Sequence, residues 1–273
     1  MKTLDLISLI AFLEPELPGK CIPPDYSTNL NPFKDRQWRS FFMLYDHHIL
    51  EQVRESNGSY LIDPIENLEL LAIKDFLPRD SCDKLISIAR ANSSPSVHLD
   101  LSTGNASEQR EQRNSTTHVL HPSHPECFEL VKAMARLIGS TVSKAEPVNL
   151  IRYETGGFFK EHLDAYSPIH TLIAEYGSSN RLTDLLSAGN RTWTLMVYLN
   201  DDYTGGTTLF PRLSIGFTAN RGSIVGWKNS INSKPIVNSL HAGDKVLSGE
   251  KFVAVVPFRE RNCNQDDSSY YIQ

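Results

Sequence analysis

The chain has 273 residues, of which 40% are hydrophobic and 22% charged, with a formal net charge of −5. These are the proportions of an ordinary globular protein with room for one large domain, or one domain and an extension. The acidic balance gives no support to a nucleic-acid surface, and no run approaches the roughly 18 apolar residues that a membrane span needs. Cys21, Cys82, Cys127 and Cys263 stand far apart without a C-x-x-C pair. That spacing argues against a zinc ribbon and predicts reduced thiols in a cytoplasmic compartment.

Residues 6–13 form an apolar stretch behind Lys2, flanked by Asp5, Glu14 and Glu16, with no small-x-small cleavage site. A short helix docked on the main domain is expected there rather than a secretory signal. Residues 1–65 read as an N-terminal extension packing on the core. Five prolines (Pro15, Pro18, Pro23, Pro24 and Pro32) break its first half, and the apolar residues of 38–53 suggest a helix. Residues 66–273 form the main domain, with strand 69–73 followed by helix 79–91, capped by Asp80 or Ser81. Residues 93–117 are polar and poor in aromatics, which predicts a mobile loop. A second helix over 125–138 should bury Phe128, Val131, Met134, Ala135 and Ile138.

From Pro147 the hydrophobic period changes to two. Strands are expected at 148–153, 192–199, 207–210, 223–227, 237–241 and 251–256, separated by turns. Short strands at this density fit a double-sheet jelly roll, giving a mainly β fold with flanking helices.

The chemistry concentrates in that half. His162-Leu163-Asp164 is an H-x-D step, and residues i and i+2 of a strand share a face. His241 lies 79 residues further on and would complete a 2-His-1-carboxylate triad, the arrangement that suits non-haem Fe(II). An isolated H-x-D pair is more often a surface hydrogen bond. The context of this one differs: it follows a strand and an aromatic stretch, and Lys251 opens an otherwise apolar run, Phe252-Val253-Ala254-Val255-Val256. A buried ammonium needs an anionic partner, unless its tip snorkels to water. His47, His48, His118, His121 and His124 read as solvated or core histidines rather than a second metal site.

Residues from about 69 to 259 resemble the prolyl 4-hydroxylase-like branch of the iron(II)/2-oxoglutarate dioxygenases. The resemblance rests on Arg113-x-Ser115, Arg152-Tyr153-x-x-Gly156, His162-x-Asp164 and Arg191 ahead of Tyr198-Leu199-Asn200. It continues through Gly205-Gly206-Thr207-Thr208-Leu209-Phe210-Pro211, Leu240-His241-Ala242-Gly243 and Gly249-Glu250-Lys251. It implies a double-stranded β-helix core and the cofactors Fe(II), 2-oxoglutarate and O2, with ascorbate as reductant. His162, Asp164 and His241 match the metal ligands. Lys251, Tyr153 and Thr208 match residues that hold the distal carboxylate of 2-oxoglutarate, and Arg191, Arg113 and Ser115 match substrate-holding positions. Because Asp164 is a carboxylate and not the small residue of related halogenases, hydroxylation is expected.

Two departures bear on the substrate. Pro257 stands where the family usually carries a tryptophan six residues after the lysine, and residues 165–190 are longer than expected and read, with 93–117, as lid candidates. On these grounds the expected substrate is a free amino acid or small natural product, hydroxylated at an unactivated C–H. The alternatives are a peptidyl proline, or a non-catalytic jelly-roll binding module. Neither nucleic acid nor membrane is an expected partner.

Overall fold

The computed structural model describes residues 42–44, 53–56, 59–65, 68–99, 106–107, 110–166, 187–218 and 220–263, with side chains over 68–97 and from 110 onward. The expected helix at 6–13, the prolines of the extension and His47-His48 lie outside these residues.

Two antiparallel sheets face each other. The larger has nine strands in the spatial order Val53–Ser56, Ser59–Ile65, Leu68–Ile73, Ile224–Lys228, Arg191–Tyr198, Lys251–Arg259, Val148–Tyr153, Thr116–Leu120 and Ser94–Pro95. The smaller has six, in the order Phe42–Leu44, Ile215–Phe217, Thr208–Phe210, His241–Gly243, Phe158–His162 and Arg113–Asn114. Two helices, Arg79–Asn92 and Phe128–Leu137, complete the main elements.

Alternation along the central strands sorts the core into two layers, because successive side chains leave opposite faces. Leu195, Val197 and Leu199, with Phe252, Ala254, Val256 and Phe258, pack outward against Leu85, Val131 and Met134 of the helices. Met196, Tyr198 and Val253 point inward with Phe210, Phe217 and Trp227 of the space between the sheets. The strand Lys251–Arg259 is buried on both faces, which is why it reads as a nearly continuous apolar run.

Several local expectations are corrected. Within 38–53, Phe42–Leu44 is a strand paired with Ile215–Phe217, and Val53 opens another. Apolar and aromatic composition of this kind suits a strand as well as a helix. Helix Arg79–Asn92 is preceded by Pro78 and has no side-chain cap, so Asp80 lies in the first turn, favourably placed toward the positive end of the helix dipole. Phe128 is half-exposed at the start of the second helix. Ser94–Pro95 and Arg113–Asn114, within the supposed loop 93–117, are strands, and Ser96 Oγ bonds to both Ser115 Oγ and Thr117 Oγ1 at 2.7 Å. The hydroxyls that made this segment look loop-like tie its rims together. Residues 237–239 form a 3₁₀ turn, and the strand is His241–Gly243.

Candidate metal centre and co-substrate cavity

His162 ends the strand Phe158–His162 and lies directly opposite His241, the first residue of its neighbour. Their rings are 4.2 Å apart between centroids. Asp164 lies in the bend just beyond the strand, so the pair shares a site by a return of the chain rather than by the even spacing of an extended strand. One ligand atom from each of His162, Asp164 and His241 lies within 4.8 Å of the others. His162 Nε2 is 3.7 Å from Asp164 Oδ1, and His241 Nε2 is 3.8 Å from Asp164 Oδ2.

The backbone decides which ring nitrogens face the centre. His162 Nδ1 donates to the Lys160 carbonyl at 2.8 Å and His241 Nδ1 to the Ser239 carbonyl at 2.9 Å. Each Nε2 then carries a lone pair toward Asp164, the tautomer metal-binding imidazoles need. The 3₁₀ turn at 237–239 presents the second carbonyl. Phe159 stacks on His162 at 3.6 Å and Trp227 flanks His241 at 4.6 Å, restricting both rings. Burial and the neighbouring His241 push the His162 pKa down to about 3, keeping its imidazole neutral. Burial opposes ionisation of Asp164, but His241 and His162 outweigh it and bring its pKa to about 2.

A cavity of about 480 Å³ opens beside the triad. Lys251, Val253, Val255 and Pro257 all line it, one face of one strand. Lys251 is 3% exposed, and Nζ donates to the Gly206 carbonyl at 2.7 Å. It also lies 5.4 Å and 5.5 Å from the centroids of the Tyr153 and Tyr198 rings. Burial pulls its pKa down to about 7, only weakly opposed by Asp244. Among the described residues no carboxylate contacts this cation, as for a buried lysine awaiting an anion. Gly205 and Gly206 have φ of +73° and +65°, and a Cβ on Gly206 would lie 3.2 Å from Lys251 Cδ, so the glycines let the backbone carbonyl approach the lysine. Tyr153 and Thr208 line the same cavity, and Thr208 Oγ1 accepts from Tyr198 Oη at 2.8 Å. A chelating dicarboxylate fits this donor set: two imidazoles and a carboxylate for the metal, and an ammonium for the far carboxylate.

Of the remaining expected site residues, Arg113 and Arg191 line the cavity and Ser115 stands behind Arg113 rather than in the lining. Arg113 lines the cavity, donates from Nε to Ser115 Oγ at 2.7 Å, and sits over the Phe159 ring. Arg191 also lines it, but Nε and one terminal nitrogen bond to the two oxygens of Glu146 at 2.7 and 2.6 Å. Its other arm reaches the Asp164 carbonyl at 3.4 Å. Four residues at or beside the site had not been singled out in the sequence. Glu146 bridges Arg191 and Arg259, Tyr166 lies against both guanidinium groups, and Thr194 and Asn229 lead to Asp164. Thr194, a hydroxyl between Trp193 and Leu195 in the central strand, was the one available signal.

Residues 148–259 match the 2OG-Fe(II) oxygenase superfamily. Prolyl 4-hydroxylase 1 of Arabidopsis thaliana is 26% identical over 208 residues, 70% of this chain and 69% of the relative. Prolyl 4-hydroxylase subunit alpha-3 of Homo sapiens is 29% identical over 210 residues, 73% of this chain but only 36% of that protein. Among solved structures, the viral collagen prolyl hydroxylase of Paramecium Bursaria Chlorella virus-1, in complex with 2OG, superposes with a TM-score of 0.51 at 23% identity, covering 70% of this chain and 94% of its own. The fold and the triad thus define a 2OG-Fe(II) oxygenase with a double-stranded β-helix core, an enzyme using Fe(II), 2-oxoglutarate and O2. Within that superfamily, the curated relatives it matches are prolyl 4-hydroxylases. No helix among the described residues is long and apolar enough to cross a membrane.

Proposed function

We propose that this enzyme hydroxylates a prolyl residue within a peptide, converting the substrate, 2-oxoglutarate and O2 into hydroxylated product, succinate and CO2. The observation that carries the reading is the extent of similarity to prolyl 4-hydroxylase 1 of Arabidopsis thaliana, which spans 208 residues and 70% of this chain. It favours this substrate over the free amino acid or small natural product expected from Pro257. Pro257 does face the cavity, but Tyr166 supplies an aromatic surface to the same space. A separate tryptophan is not needed to give a pyrrolidine ring an apolar wall.

In this reading His162, Asp164 and His241 hold the iron, Lys251 with Tyr153 and Thr208 holds the distal carboxylate of 2-oxoglutarate, and Arg113, Ser115 and Arg191 face the peptide. Bound iron supplies the oxidising chemistry. The chain keeps His162 neutral, offers Asp164 as a carboxylate, and lines the cavity with Tyr153, Met196 and Val253, whose apolar surface excludes water.

Incubation with Fe(II), 2-oxoglutarate and either proline-rich peptides or free amino acids, read by mass spectrometry and succinate release, tests the proposal. Gain of one oxygen on a prolyl residue, matched by equimolar succinate, is expected. Turnover confined to free amino acids or small metabolites would overturn it.

A further inference from the structure

Asp164 has a partner that the metal centre alone does not require. Thr194 Oγ1 donates to Asp164 Oδ2 at 2.6 Å, and Asn229 Nδ2 donates to Thr194 Oγ1 at 2.8 Å. Both residues are 0% exposed. We propose that Asn229 and Thr194 form a relay that fixes the Asp164 carboxylate for metal ligation, a pair of positioning residues that never touch the metal. The inference rests on the reading of His162, Asp164 and His241 as the metal ligands.

Donor and acceptor counting supports it. A threonine hydroxyl has one proton and two lone pairs. The Asn229 amide occupies a lone pair of Thr194, which commits the hydroxyl proton to Asp164. A hydroxyl-to-carboxylate bond of this length is charge-assisted and among the stronger protein hydrogen bonds. The terminal torsion of an aspartate is otherwise broad, so anchoring Oδ2 sets the plane in which Oδ1 faces His162.

Asn229 also bears a cost that its own hydrogen bonding does not explain: Oδ1 is buried and has no hydrogen-bond partner among the described residues. A buried amide left half-satisfied is unfavourable, and leucine would fill similar space without that penalty. The amide donor toward Thr194 is what an asparagine adds here. The relay also joins the sheets, because Thr194 belongs to the central strand of the larger sheet while His162 and His241 belong to the smaller.

The test is Co(II) binding to the metal-stripped full chain, read by titration and by the d–d absorption band, with thermal melting as a control on folding. Thr194→Val is expected to weaken Co(II) binding roughly 10–100-fold and to shift the band, while Thr194→Ser stays within about threefold of the parent. Asn229→Leu should move both readouts in the same direction by less. A Thr194→Val protein that melts lower but binds Co(II) with the parent affinity and band would show a packing role only and overturn the proposal. If Thr194→Val does not fold, Asn229→Leu decides in its place, and parent-like affinity and band there overturn it. Parent and His162→Ala fix the frame. Failure of the parent to bind, or equal binding by His162→Ala, sinks the metal-centre reading itself rather than the relay.

Discussion

Lys251 is a buried cation that lines the cavity, and in the proposed reading it meets the distal carboxylate of 2-oxoglutarate. Lys251 in the free enzyme has its pKa held near 7 by burial, whereas a carboxylate opposite it would favour the ammonium. Binding of 2-oxoglutarate should therefore take up a proton at pH 8. The dissociation constant should rise about tenfold per pH unit above 7, until the pKa of the complex is passed. Calorimetry at pH 8 in two buffers of different ionisation enthalpy measures that uptake; an affinity constant from pH 7 to 9 would refute it. Lys251→Met should weaken 2-oxoglutarate binding by roughly 10–100-fold, the worth of a hydrogen bond to a charged group, while Co(II) affinity stays at the parent value. The lysine, both histidines and Asp164 were legible because each is chemically out of place: an ammonium opening an apolar run, and imidazoles next to an aspartate and a glycine turn. Asn229 and Glu146 were not. Their partners lie 35 and 45 residues away, and neither residue type stands out from its surroundings until the chain is folded.

At the level of elements, the two faces of the large sheet separate stability from binding. Met134 is fully buried in the helix-side layer, against the outward face of the sheet. Met134→Ala should lower the unfolding free energy by about 2–5 kcal/mol without changing Co(II) or 2-oxoglutarate affinity. Val255 faces the cavity, so Val255→Phe should leave the urea midpoint nearly unchanged and raise the KM for peptide. A Met134→Ala enzyme with the parent midpoint, or a Val255→Phe enzyme with parent KM and a collapsed midpoint, would contradict this division. Strict alternation made Arg191–Tyr198 readable, and an unbroken apolar run did the same for Lys251–Arg259. Segments whose role is set by distant pairing were misread. Phe42–Leu44 has the apolar content of a helix but joins Ile215–Phe217 across a large gap in sequence. The hydroxyl-rich 93–117 looked unstructured, because nothing local shows that Ser96, Ser115 and Thr117 satisfy one another.

Across the whole molecule, one carboxylate ties together chain segments that are far apart in sequence. Glu146 precedes the strand Val148–Tyr153, and it pairs with Arg191, at the start of a second strand, and with Arg259, at the end of a third. Tyr166 packs on both guanidinium groups, and Asn190 holds the backbone of Tyr166 from both sides, through its N–H at 2.8 Å and its carbonyl at 2.9 Å. The chain leaving Asp164 is thereby anchored to the rim of the large sheet. Burial opposes the charge on Glu146, yet the two arginines hold its pKa below the usual 4.5. A carboxyl depressed in the folded state stabilises it fully above the unfolded pKa, and that contribution is lost as pH falls through the folded value. Glu146→Gln leaves two buried guanidinium groups without their anion, for which a cost of about 3–5 kcal/mol is expected. The deficit should be constant above about pH 5 and shrink as the parent protonates below its unfolded pKa, so urea unfolding curves of the two proteins should converge toward pH 3. Because Arg191 reaches the Asp164 carbonyl from the same cluster, the substitution should also weaken Co(II) binding. A deficit independent of pH from 3 to 7 would mean that the charge of Glu146 contributes nothing beyond its shape.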